Sequence, residues 1–109
     1  MSRRVIVLPR AESQLLEAAV WWSENRSPEQ ALRWLDGFEA AIASLETDTR
    51  RLTIAPEDAL LGFTFTIRQL AYGLGSSPTH SAIVELRESV VYIHAIRHLA
   101  QDEMSPTDI

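Results

Sequence analysis

Three stretches decide the fold: Thr64 to Leu70 (TFTIRQL), Ser81 to Arg87 (SAIVELR) and Val90 to His98 (VVYIHAIRH). Each alternates apolar and polar residues at a period of two, the pattern of a half-buried strand. Phe63, Phe65 and Ile67 point one way on the first, with Thr64, Thr66, Arg68 and Leu70 on the other side. Ala82, Val84 and Leu86 oppose Ile83, Glu85 and Arg87 on the second. Val91, Ile93, Ala95 and Arg97 oppose Val90, Tyr92, His94 and Ile96 on the third. The segment YGLGSSPT, residues 72–79, contains Gly and Pro and reads as a loop; Glu88-Ser89 is short enough to close a hairpin. These strands form an antiparallel meander.

Upstream the period changes. Arg4 to Leu8 is a short β-branched run stopped by Pro9 and reads as a strand. From Arg10 to about Asn25, Ala11, Leu15, Ala18, Ala19 and Trp22 share one helical face. Ser27-Pro28-Glu29-Gln30 is a helix start: a hydroxyl N-cap, a proline at the first helical position and the Gln of a capping box. Ala31, Leu35, Phe38, Ile42 and Leu45 then recur every three or four residues, which predicts a helix from Pro28 to about Asp48. The short link between the two helices makes them an antiparallel hairpin, and Gly37 reads as a point of close packing against the first helix. Residues 49–63 read as an irregular connector, and the polar tail after Leu99 as frayed. The expectation is an α+β fold: the hairpin of residues 10–48 on a four-stranded antiparallel sheet, in one domain spanning 1–109 with its core at 4–98. Leu35, Phe38, Ile42 and Leu45 should meet the sheet face carrying Ile93 and either Phe65 or Ala82 and Val84.

Composition narrows the chemistry. The chain has 109 residues, 46% hydrophobic, with a formal net charge of −5. That balance disfavours a general nucleic-acid binder, which needs many cations against phosphate. There is no cysteine, so thiol catalysis and disulfides are excluded. All ten basic residues are arginine. The apolar run Val5 to Leu8 is too short for a secretory signal or a membrane span, so the chain is read as cytoplasmic.

The order strand, helix hairpin, three-strand meander, together with IRQLAYG, PTHSAIVEL and the ending VVYIHAIRH, resembles the RelE/ParE superfamily of toxins from bacterial type II toxin–antitoxin modules, known also as plasmid stabilisation proteins. The resemblance implies an antitoxin partner encoded by an adjacent gene, and one of two targets. RelE-like members cut mRNA on the ribosome. ParE-like members act on DNA gyrase without nuclease activity. A third possibility is an inactive interaction protein that retains only antitoxin binding.

For a nuclease, the resemblance nominates Arg68, Arg97 and His98 as catalytic: arginines to hold the phosphate and stabilise its charge, and a histidine to move a proton. The plainer readings are that Arg68 pairs with an acidic neighbour, Arg97 anchors the last strand and His98 faces solvent. The chain lacks the lysines of RelE-like nucleases and has no aromatic residue after Leu99. It therefore leans to the ParE-like, non-enzymatic side. No cofactor is expected. No metal is expected either: His94 and His98 lie about 13 Å apart along a strand, too far to share zinc. Trp21, Trp22 and Trp34 read as core and interface, an outward Trp21 being a candidate for homodimer or antitoxin contact. Glu85, Arg87 and Glu88 read as a solvated edge.

Overall fold

A computed structural model of the chain describes residues 2–54, 66–75 and 77–98. Phe63, Phe65, Thr64, most of the predicted connector and the tail from Leu99 lie outside them. The described residues form β1 (Arg4–Val7), α1 (Pro9–Asn25), α2 (Pro28–Ala43), a 3-10 turn (Ser44–Glu46), β2 (Thr53–Ile54), β3 (Thr66–Tyr72), β4 (His80–Leu86) and β5 (Val90–His98). The sheet order is β1-β5-β4-β3-β2. Among the described residues no helix is long and apolar enough to cross a membrane.

The α+β class and the helix hairpin match the expectation; the sheet differs from it in two ways. It has five strands, because Thr53–Ile54 pairs antiparallel with Gln69 and Arg68 at the edge. It is also mixed, because β1 runs parallel to β5, Val5 opposite Val91 and Val7 opposite Ile93. A parallel neighbour needs a long crossover, and everything between Val7 and Val90 supplies one.

Helix α2 starts as the sequence dictates. The Ser27 hydroxyl accepts from Gln30 N at 3.1 Å, and Pro28 occupies the first turn. It ends earlier than predicted. Ser44 Oγ donates to Ala41 O at 2.6 Å, and the chain tightens into the 3-10 turn that carries Leu45 inward. Phe38, Ile42 and Leu45 are buried, with Leu35 packed at their edge. They meet Leu70, Ala82, Val84, Val91 and Ile93, joined by Trp34, Ala11 and Leu15.

Gly37 serves β3, not α1. A Cβ built there would sit 1.9 Å from Tyr72 Oη and 3.0 Å from its Cζ. Gly37→Ala should therefore destabilise by about 1–3 kcal/mol through overpacking, although helix propensity alone would favour it by about 1 kcal/mol. A Tyr72→Phe background should restore most of the loss in a thermal melt. A higher melting temperature for Gly37→Ala in the native background would contradict the contact.

Register fixes which side chains share a face. Ile83 pairs with Ala95 but Val84 pairs with Ile93, so His94 is an extra residue, a β-bulge. The bulge resets the alternation. Val91 and Ile93 face the helices; beyond the bulge Ile96 takes that face, while Ala95 and Arg97 turn to the other. The simple alternation that put Arg97 with Val91 and Ile93 is thereby corrected. On the face away from α1 and α2, Ile67, Ile83 and Ala95 are fully buried.

Candidate functional site

The three nominated residues do not converge. Arg68 pairs with Val84 and shares its face with Leu70, the side of the helices. It is half-buried, and Nη1 reaches Ile67 O at 3.5 Å. Arg97 lies on the opposite face, 7% exposed. Its Nη2 donates to Gln69 Oε1 at 3.2 Å and its Nε to Ser81 Oγ at 3.4 Å. One guanidinium thus spans β5, β4 and β3. His98 is exposed and returns to the helix side, its ring 4.9 Å from that of its cross-strand partner His80.

His80 continues an aromatic stack into the core. Its ring lies 4.9 Å from Trp34, which makes an edge contact with Phe38 at 5.5 Å; Phe38 stacks on Tyr72 at 4.7 Å. Thr79 Oγ1 lies 2.8 Å from His80 Nδ1. Burial, with a smaller push from His98, lowers the His80 pKa to about 4. An unfolded His80 takes up its proton below about pH 6.5, while the folded one resists until about pH 4. This contribution is complete above pH 6.5 and is lost as pH falls toward 4. Between pH 7 and pH 5 the protein should lose about 2 kcal/mol, at roughly 1.4 kcal/mol per pH unit. His80→Phe should flatten melting temperature against pH in that window; an unchanged slope would exclude His80 as the cause.

A second cluster occupies the face away from α1 and α2, where the sequence suggested a solvated edge. Glu85 is buried, 5% exposed. It accepts from Arg87 Nε and pairs with Nε2 of the bulge residue His94 at 2.7 Å. Burial alone would raise its pKa, but the hydrogen bonds and charges of Arg87 and His94 outweigh it and leave it below the ordinary value. Tyr92 pairs with Glu85 across the strands, and Leu8 closes the shallow depression they share. The carboxylate ties the bulge to the hairpin. Among the described residues no group of three or more acidic or histidine side chains is placed to hold a metal ion.

The third feature is the β1 edge of the sheet, which no other strand of the described residues covers. Arg4 N and Leu8 N bond to Ser89 O and Ile93 O of the β5 side, so the backbone of Val5 and Val7 points away from it. Arg3 N already uses Glu46 O on that outer side. Beside this edge runs a cleft of about 850 Å³. Its floor is Val5, Val7, Leu15 and Ile42, and Glu12, Glu39 and Glu46 line it, with Arg3 and Arg4 where β1 begins. A strand edge that is unpaired among the described residues, above an apolar floor, is a template for an extended peptide.

No family model matches the chain, and no curated protein is similar to it in sequence. Among solved structures, a chain of the chromosomal ParDE TA system from P. aeruginosa superposes with a TM-score of 0.64 at 15% identity, covering 89% of this chain and 96% of that one. The fold is RelE/ParE-like. Coverage of that extent means the likeness takes in the hairpin and the sheet together. On this RelE/ParE-like frame Arg97 and Arg68 occupy opposite faces of one sheet, and the only nominated residue beside a second imidazole is His98.

Proposed function

We propose that the protein is the toxin half of a type II toxin–antitoxin module, of the ParE-like, non-nuclease kind directed at DNA gyrase. The observation that carries the reading is the fold shared with a chain of a ParDE system across nearly the whole of both chains. The cleft along β1 supports the antitoxin side of it. Its apolar floor suits aliphatic anchors, its open backbone suits an extended segment, and Glu12, Glu39 and Glu46 suit a segment that carries Arg or Lys.

The non-nuclease choice rests on chemistry. Cleavage of RNA through its 2′-hydroxyl needs a base, an acid and cations about one phosphate. Arginine stays protonated and cannot serve as the base, lysine is absent, and the two nominated arginines lie on opposite faces. The product of an adjacent small open reading frame, co-expressed with this protein, should copurify with it and raise its melting temperature by mass action. Recovery of the free chain with an unchanged melt would count against the proposal.

A further inference from the structure

Where the C-terminal half of α1 passes the ends of β4 and β5, away from the β1 cleft, the structure holds a cavity of about 450 Å³. Trp21 and Trp22 line it from the helix, with Ala18 one turn back; His80 and His98 line it from the strands. Arg26 and Thr79 complete the lining. We propose that this cavity is a binding site for a planar aromatic ring bearing a carboxylate.

The walls favour a flat ring. The two indoles meet at a right angle with centroids 5.6 Å apart, and the two imidazoles are near-perpendicular at 4.9 Å. Each pair forms an aromatic corner, so an inserted ring gains stacked and edge contacts that an aliphatic group of equal area does not. The volume lies in the range of small-molecule sites, about 300–1,000 Å³.

The polar groups favour an anion on that ring. Among the described residues no hydrogen bond or ion pair engages the Arg26 guanidinium, which is always charged and donates only. The complementary ligand group at this end of the cavity is therefore an anion that accepts. The carbonyl end of α1 opposes an anion here, so the attraction comes from the Arg26 guanidinium. His80, Nδ1 beside Thr79 Oγ1, is neutral at physiological pH and adds no charge of its own.

The test uses the full chain and four probes: indole-3-acetate, which has both ring and carboxylate; indole, which has the ring alone; cyclohexylacetate, which has a saturated ring and the carboxylate; and acetate. Binding is followed by calorimetry and by the side-chain N–H signals of the tryptophans in nitrogen-15 spectra. Indole-3-acetate should bind with a sub-millimolar Kd and shift the Trp22 signal. Indole and cyclohexylacetate should each bind at least about tenfold more weakly, the loss of one class of contact, and acetate not at all. Arg26→Gln should weaken indole-3-acetate about tenfold and leave indole unchanged. Trp21→Ala, at a residue 52% exposed, should weaken both while the melting temperature holds. No saturable shift at 10-millimolar order (~10 mM), equal binding of cyclohexylacetate, or an Arg26→Gln variant that binds indole-3-acetate as before would overturn the assignment.

Discussion

Phe38→Ala should lower stability by about 3–5 kcal/mol. Phe38 is fully buried on α2 and joins two layers: it makes an edge contact with Trp34 one turn back and stacks on Tyr72 of β3. Removing its ring strips the wall from both neighbours. Gly37 already holds the helix close to Tyr72 with no side chain to spare, so the site cannot collapse to fill the void. Small domains are stable by about 5–15 kcal/mol, and for this size the loss corresponds to roughly 15–25 °C in melting temperature. A melt within a few degrees of the native protein would show that α2 presents another face to the sheet.

The double variant Glu12→Lys, Glu39→Lys should weaken antitoxin binding about 30-fold. The cleft beside β1 offers these carboxylates over an apolar floor. At about 1 kcal/mol for each interfacial charge pair, reversing both costs at least 2 kcal/mol. Glu12 lies in the first turn of α1, where a cation opposes the helix dipole, so a loss of about 1 kcal/mol in stability is expected beside the effect on binding. Affinity unchanged at low salt, with the fold intact, would move the partner away from this edge.

Much of this architecture was legible because it is written in local pattern. Val90 to His98 is a strand end to end, and Ser27-Pro28-Gln30 places the start of α2 at the right residue. The elements that escaped lack local signal. Thr53–Ile54 is two exposed residues whose strand character exists only through β3. The direction of β1 cannot be read from RVIV, since the same side chains suit either pairing. The bulge at His94 hides inside a run that alternates without fault in sequence; it shows only where β4 slips against it. That slip decides which face Arg97 takes, so the candidate site was less legible than the fold. Glu85 looked solvated because charges near hairpins usually are, whereas it is held inside by Arg87 and His94. His80 carried no signal of its own, because Trp34 and His98 reach it from distant parts of the chain.

Purified protein tests the proposed ParE-like, non-nuclease toxin activity in two parallel assays. In a gyrase supercoiling reaction the protein should inhibit, and inhibition should be relieved by its antitoxin. Added to translating ribosomes, it should leave mRNA uncut, because the chain has no lysine and its sheet sets Arg68 and Arg97 on opposite faces. Efficient cleavage at codon positions that vanishes in Arg68→Ala and in His98→Ala, with supercoiling untouched, would contradict the account and make the protein an mRNA interferase.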